Sequence, residues 1–435
     1  MKKKIHKLPS LTSKSMRITE DALDQEAFMS AKAYDKMIPW ENRLKREIPF
    51  MVECFHPGKV LDVACSSGRH SFELEKYGFH SLGIDVSGEM IFIAQRLKAK
   101  KNAKSEFLAM DVTKPILPGI KEMGLDSLYD NALFVGNAIA NMGNLESGKQ
   151  VIYNIYLMLK PGGRFVCQTV YRPSEPYYLP LRKFEEDFLI QRIMIPVKDE
   201  SVEHNVDLHV NKIDTTKGNY ESQKADNHFF MYTKQEFEDI VTKQGFTVVE
   251  VFGGYDREPV REEDGATLVW ILEKPEIPIY DETRALFSNY WEKINRQSEN
   301  ELALDEKIRS NAMEVWQEAL SINNYRCIGG FRFLYPRITS HPLYKEITRE
   351  LTGKKILDVG CHMGTDLRQL IVDGAEPDKL IGNDLTKRYW ELGRHLFGDE
   401  EENNIKFIPG DFRSVEILDV ENKSGILAPD MGNFD

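Results

Sequence analysis

Residues 60–70 read VLDVACSSGRH, and this stretch decides the fold. A short apolar run carries one acid, Asp62. It breaks into small residues at Ala64, Ser66 and Gly68, and a helical pattern then continues through Phe72 and Leu74. Strand, tight turn and helix in immediate succession make the nucleotide-cofactor loop of an open α/β sheet. A dinucleotide would bring its pyrophosphate to the start of that helix, where a neighbouring carboxylate would repel it. Asp62 therefore points to a cationic ligand.

Two more acids follow in step. The strand from Ser81 to Val86 holds Asp85 near its end, where a carboxylate can accept hydrogen bonds from ribose hydroxyls, with Val86 beside it. The strand from Glu106 to Met110 leads to Asp111-Val112, where the acid can accept from an adenine amine while a backbone N–H meets a ring nitrogen. S-adenosylmethionine satisfies all three positions, because its sulfonium and ammonium groups are positive and it has no phosphate.

With VLDVACSSG, GIDVS, AMDV, YDNALFVGNAIANM and LKPGGRFV at 159–166, the region from about Ala31 to Lys274 resembles the class I S-adenosylmethionine-dependent methyltransferases. It is most similar to the small-molecule branch that includes the glycine and sarcosine N-methyltransferases. The resemblance implies a Rossmann-like, doubly wound α/β sheet and S-adenosyl-L-methionine as cofactor. Those enzymes usually have glycine at one or both of the positions held here by Ala64 and Ser66, but small residues still permit close backbone approach.

The same resemblance implies that a helix beginning near Ala27 closes over the cofactor, with Tyr34, Trp40 and Arg43 lining the site and Arg43 pairing the methionyl carboxylate. After the fourth strand, Tyr129 to Val135, the segment Val135 to Asn141 stands against the methyl group, with Asn137 facing the substrate and Ala138 where those enzymes have serine. Arg172, at the end of the fifth strand (Arg164 to Val170), clamps a substrate carboxylate. Plainer readings stand beside these: core aromatics and a surface arginine in the first helix, an Asn137 that satisfies turn backbone, and a solvated loop arginine at 172.

Segment 173–228 breaks the regular alternation with Pro-rich, Tyr-rich and alternating stretches, among them Ile193 to Val197 and Val206 to Ile213. It reads as an antiparallel insertion, a lid over the active face. Lids of this kind select substrate. His204, His209 and His228 fall within it as candidate proton acceptors, and nothing in their spacing marks one out. A helix from Lys234 to Gln244 and strands at Thr247 to Phe252 and Thr267 to Glu273 complete the core.

With 435 residues the chain has room for two or three domains. Hydrophobic content of 41% and charged content of 29% are those of an ordinary folded protein, so disorder is not the default. A formal charge of −12 and no long basic stripe argue against a nucleic-acid partner. No run approaches membrane-spanning length, and Met1-Lys2-Lys3-Lys4 lacks the apolar core of a secretory signal. Cys54, Cys65, Cys167, Cys327 and Cys361 show no metal or disulfide spacing, and cytoplasm is the natural compartment.

The expected organisation is a loose tail over 1–26, the methyltransferase-like domain over 27–275 with its lid, a helical linker region over 276–340, and a second, partial copy over 341–435. The boundary rests on Lys274-Pro275-Glu276-Ile277-Pro278, whose two prolines stop helix and ladder alike. In the second copy, GKKILDVGCHMGTD at 353–366 repeats the opening stretch, and Asp358, Asp384 and Asp411 answer Asp62, Asp85 and Asp111 in nearly constant register. From about His341 to Asp411 this part is similar to methyltransferases of fungal secondary metabolism, which implies Asp358, Gly360, Gly364, Asp384 and Asp411 as cofactor residues. The chain stops at the entry to the fourth strand, which would leave the copy's first strand an apolar edge. A fragment or a noncatalytic remnant is the favoured reading; completion of the sheet by another chain, as in a homo-oligomer, is the alternative.

The functional expectation is methyl transfer to a nitrogen or oxygen of a small molecule by the N-terminal domain. An amine acceptor needs only to arrive deprotonated, whereas a hydroxyl needs a base near pH 7, which tilts the reading toward nitrogen. Rival readings are a tandem enzyme with both domains active, and a scaffold in which Ala64 and Ser66 have abolished cofactor affinity. A nicotinamide dehydrogenase is disfavoured by Asp62.

Overall fold

The computed structural model describes residues 31–412 except 33, 37, 126–127, 180–181, 185–187, 198–204, 215, 217–219, 296–300, 323–324 and 401–403. Across most of 181–228 it describes backbone pairing alone. The chain divides into two units, Met1–Glu276 and Ile277–Asp435.

The first unit opens with α1 (Trp40–Cys54), β1 (Lys59–Val63), α2 (Arg69–Glu75), β2 (His80–Asp85), α3 (Gly88–Lys101) and β3 (Glu106–Ala109). It continues with α4 (Leu117–Glu122), β4 (Tyr129–Phe134), α5 (Leu145–Met158) and β5 (Leu159–Val170). Strands β1 to β5 pair in parallel, and β12 (Thr267–Glu273) and β11 (Thr247–Phe252) add on antiparallel. The order across this seven-stranded sheet is β11-β12-β5-β4-β1-β2-β3, so the direction of winding reverses between β1 and β4. Ligands in such sheets bind outside the carboxyl ends of the strands at that reversal.

The apolar run of β1 is what a central parallel strand requires, since both faces are covered. Val60, Leu61 and Val63 are fully buried. On one face α1 delivers Ile48, Phe50 and Met51 onto Val60, Leu133 and Val166; on the other, Phe72 and Ile91 meet Phe107 and Cys65.

Between β5 and α6 (Lys234–Lys243) lies the predicted insertion. Strands β6 (Tyr177–Tyr178), β7 (Arg182–Phe184), β8 (Phe188–Pro196), β9 (Asn205–Asp214) and β10 (Tyr220–Phe230) form an antiparallel sheet in the order β10-β9-β8-β6, with β7 on β8. Met194 of β8 and Met231 bury against Ala140, with Val170, Tyr177 and Phe229 around them. The insertion therefore packs over the turn that follows β4. In its backbone register His209 lies opposite Ile193 and His228 opposite Asp207, while His204 lies outside the described residues.

The second unit contains α7 (Asp281–Asn295), α8 (Glu301–Ile322), β13 (Ile356–Val359), α9 (Thr365–Val372), β14 (Leu380–Asp384), α10 (Lys387–Phe397) and β15 (Lys406–Pro409). The segments expected as linker and as partial copy thus fall in one unit. Phe287 of α7 stacks on Phe397 at 4.4 Å, and Tyr290 donates to Asp399 at 2.6 Å. Its strands form a three-stranded parallel sheet, β13-β14-β15, in which β13 pairs with β14 alone among the described residues. Where β1 is buried on both sides, β13 is half-buried and Val359 is exposed.

Candidate active site of the first unit

The loop after β1 is set by its backbone. Ala64, Ser66 and Gly68 all take left-handed conformations, with φ of 54°, 52° and 73°. Glycine at 68 also answers to packing, since a Cβ there would lie 2.4 Å from the Phe107 ring. Ala64 and Ser66 hold a conformation that costs a residue with a Cβ about 1–2 kcal/mol. Ala64→Gly is therefore expected to stabilise the first unit by about 1 kcal/mol, the entropy of the more flexible unfolded glycine offsetting part of the relief. A rise in the urea midpoint of hydrogen exchange in β1 measures it; an unchanged or lower midpoint contradicts it.

Asp85 organises the rim of this loop. One carboxylate oxygen accepts from the Ser66 N–H at 2.8 Å and the other from the Ser87 N–H at 2.9 Å. Ser87 in turn caps α3 by accepting from the Met90 N–H at 3.1 Å. Burial pushes the Asp85 pKa up and the backbone donors pull it back. Each oxygen keeps acceptor capacity toward the crevice, as a ribose diol requires. Next to it Val86 leaves 64% of its surface exposed, an apolar face at the mouth.

Asp62 lies inside β1, only 1% exposed, and accepts from the Ser71 hydroxyl at 2.7 Å. Burial drives its pKa up to about 6, His70 and Ser71 opposing and Asp85 adding to the rise. As pH rises from the unfolded value of 3.8 toward 6, the unfolded chain releases this proton and the folded chain keeps it, so stability falls across that window and stays low above it. Asp62→Asn should therefore raise the stability of the ligand-free unit at pH 8, by up to about 3 kcal/mol, and leave it nearly unchanged at pH 3. The same variant should bind a cationic cofactor less well. Equal gains at both pH values, from urea titrations followed in β1, would refute the linkage.

A second layer closes over the loop from the chain's N-terminal side. Asp35, in a helical turn at 34–36, accepts from the Ser67 hydroxyl, from Arg69 at 2.7 Å and from the Trp40 indole at 3.0 Å. Arg43 grips Glu47 through two bonds of 2.8 and 3.1 Å, and Glu47 also meets His70 Nε2 at 2.5 Å. The other side of the Arg43 guanidinium faces the turn after β4, where a Cβ at Gly136 would lie 3.4 Å from it. Tyr34 is half exposed and close enough to Arg43 to act on it electrostatically.

The remaining candidates are placed as follows. Asp111 accepts from the Thr113 N–H and hydroxyl at 3.0 and 2.6 Å and pairs with Lys114 at 2.7 Å, and these partners, against its burial, hold its pKa down. Val112 and Val135 are buried, and the Val112 carbonyl accepts from Asn154. Asn137, at φ 56°, accepts from the Val170 N–H at 3.0 Å, joining the ends of β4 and β5. Arg172 stands 3.6 Å from Glu236, and one of its guanidinium nitrogens is buried without a hydrogen-bond partner. The structure thus brings Ser66 to Asp85 and Arg43 to Gly136, and it ties Arg172 to the start of α6 rather than to the loop. Asp35, Glu47, Ser67 and His70 were not singled out in the sequence. The Arg43–Glu47 spacing of four on one helix was the available signal.

This donor set fits an adenosyl cofactor with a cationic, carboxylate-bearing tail: a capped acid for the ribose, an aliphatic face beside it, and an arginine at the far end of the crevice. Residues 56–245 match the family model described as methyltransferase domain. Over those residues the first unit carries a methyltransferase domain. Among curated proteins the chain is similar to methyltransferase trt5 of Aspergillus terreus, 43% identical over 95 residues that make up 22% of this chain and 34% of that protein. It is also similar to methyltransferase adrK of Penicillium roqueforti, 34% identical over 150 residues, 33% of this chain and 51% of that one. The chain spans a third to about half of the length of these relatives. The solved CcbJ methyltransferase of Streptomyces caelestis is 15% identical, with a TM-score of 0.46 over 56% of this chain and 96% of that one. Within the methyltransferase domain no group of His, Cys, Asp and Glu among the described residues could hold a metal, and no described helix is long and apolar enough to cross a membrane.

Proposed function

We propose that the methyltransferase domain transfers a methyl group to a nitrogen of a small molecule held between the strand ends and the antiparallel insertion. The observation that carries this reading is the pair of capped features on one rim: Asp85 fixed by the Ser66 and Ser87 amides, and Arg43 fixed by Glu47 against Gly136. When bound, the cofactor supplies an activated methyl on a sulfonium, so the domain's task is positioning and exclusion of water. Asp85 would accept from the ribose hydroxyls, and Val86 would cover the base. Arg43 would hold the tail carboxylate with the donor that Glu47 leaves over. Asn137 would present its amide NH2 beside the acceptor, its oxygen being committed to Val170. Tyr177 and Met194 of the insertion would shut out solvent.

Nitrogen is favoured because no base stands out to deprotonate a hydroxyl near pH 7: the segments that follow β4 and β5, Gly136 to Met142 and Tyr171 to Tyr177, contain no histidine, and no spacing singles out His204, His209 or His228 of the insertion. An amine acceptor would need only to arrive with its lone pair free, and its N–H proton would pass to water once it carries the methyl group. Oxygen is the second reading, favoured by the relative named O-methyltransferase atr3 of Stereocaulon alpinum, 29% identical over 145 residues. Support for a small-molecule acceptor comes from the relative named asnovolin E/chermesin D methyltransferase in Aspergillus novofumigatus, 36% identical over 143 residues. A labelled-methyl assay on low-molecular-weight extracts tests the reading. The expected product keeps its label in mild alkali, which releases methyl esters, and in hydriodic acid under conditions that cleave methyl ethers but not N-methyl groups; label released as methyl iodide would identify an ether and sink the nitrogen assignment. A label lost in alkali as methanol would identify a methyl ester and sink the nitrogen assignment, and label on macromolecules alone would sink the small-molecule one.

A further inference from the structure

We infer that Gln168 and Tyr255 are positioning residues of the methyltransferase domain: they lock the turn after β4 against Arg43 and so complete the pocket for the cofactor's amino-acid tail. They act through the turn rather than on the cofactor. The inference rests on the reading of Arg43 as the partner of the tail carboxylate.

The turn needs holding. Gly136 and Asn137 are consecutive left-handed residues, with φ of 73° and 56°. Gly136 is also exposed, so neither its own backbone preference nor packing fixes it. Two bonds to β5 do. The Gly136 N–H donates to Gln168 Oε1 at 3.0 Å, and the Val170 N–H donates to Asn137 Oδ1 at 3.0 Å. One joins turn backbone to strand side chain and the other strand backbone to turn side chain, so the turn is stapled at two adjacent residues. Across from Gly136 stands the Arg43 guanidinium, held on its other side by Glu47, and a slackened turn would move against it.

Tyr255 fixes the staple from behind. Its hydroxyl donates to the same Gln168 oxygen at 3.0 Å. Both partners of that oxygen are donors, which settles the orientation of the amide and occupies both lone pairs. Tyr255 follows β11 and is buried, its ring edge-on to Phe50 of α1 at 5.5 Å. Burial and the nearby Glu47, with Arg43 opposing, push its hydroxyl pKa well up, so it stays a donor through the neutral range. A bond serving the sheet alone would run between neighbouring strands. This one ties the crevice turn to a residue rooted on the helix that carries Arg43 and Glu47.

Titration calorimetry of the full chain tests the inference with two ligands, S-adenosylhomocysteine and 5′-methylthioadenosine, which shares the adenosyl group and lacks the amino-acid tail. Gln168→Met keeps the side chain's length and removes the acceptor; it should weaken S-adenosylhomocysteine binding about tenfold, the contribution of one hydrogen bond, and leave methylthioadenosine binding unchanged. Tyr255→Phe keeps the ring and should lose about threefold on S-adenosylhomocysteine alone. The double variant should be no worse than Gln168→Met, because both residues act through one oxygen. Parental affinities in both variants, or equal losses for the two ligands, overturn the inference and leave the Arg43 reading standing. Losses that add in the double variant separate Tyr255 from Gln168 and overturn the shared role. A parent that binds the two ligands equally well has no tail pocket, which sinks the Arg43 reading and this inference with it.

Discussion

Replacing Asp85 by alanine is expected to weaken S-adenosylhomocysteine binding by the methyltransferase domain about a hundredfold, with kcat/KM falling at least as far. A hydrogen bond to a charged group contributes about 1.5–3 kcal/mol, and a ribose diol would make two, so about 2.7 kcal/mol is a conservative loss. The variant also releases the Ser66 and Ser87 amides, which now point at the carboxylate from 2.8 and 2.9 Å. Ser66 holds its left-handed φ partly through that bond, so the loop should loosen along with the contact. A 2′-deoxy analogue separates the two effects. If the diol contact dominates, the parent loses affinity for the analogue and the variant loses none beyond its own deficit, the signature of coupled groups. Additive losses would assign Asp85 to loop structure and remove it from the ribose.

Much of this was legible in the sequence because it is local. The β1 apolar run, the small-residue turn and the acids at successive strand ends are patterns of adjacent residues, and the sheet places β1 at the reversal point with β2 and β3 following outward from it. The antiparallel insertion was likewise readable from its alternation; β8 and β9 pair where Ile193 to Val197 and Val206 to Ile213 had suggested. The fifth strand begins earlier than the break at Lys160-Pro161-Gly162-Gly163 suggests, because Leu159 already pairs with Tyr129 across an irregular register. What could not be read depends on partners far apart in the chain. Asp35 meets Ser67 and Arg69 more than thirty positions away, and no local pattern marks an acid in a polar stretch as a clamp. Lys274 looks like the last solvated residue before a proline boundary. It is instead fully buried, its Nζ donating to the carbonyls of Tyr156 and Leu159 at 3.0 and 2.8 Å, and burial pushes its pKa well down. The helical stretch around Leu286 and Tyr290 reads as a linker, since nothing in its own sequence names Phe397 and Asp399 as what it will cover.

The other large effect should come from Glu47. Its carboxylate is buried between two cationic or protonatable partners, Arg43 and His70, and replacing it with alanine leaves an arginine largely out of water with no counter-charge. Breaking a buried pair in this way costs about 3–5 kcal/mol. The same geometry fixes a pH dependence. Burial raises the Glu47 pKa, but the bonds from His70 and Arg43 overcome it and hold the group below its ordinary value of 4.5. A depressed carboxylate contributes stability that is fully present above the unfolded value and is lost as pH falls through the folded one. Hydrogen exchange in α1 should therefore accelerate in the parent as pH drops below about 4.5, after correction for intrinsic rates. In Glu47→Gln, which keeps the shape and loses the charge, α1 should be less protected at pH 7 and lack that acid-dependent step. The cofactor KM should rise as well, because Arg43 is aimed at Gly136 only while Glu47 holds its other side. A variant that keeps the parent's KM but loses stability would make the triad a purely structural brace. One that keeps both, with the acid step intact, would show that some other carboxylate anchors α1 to α2.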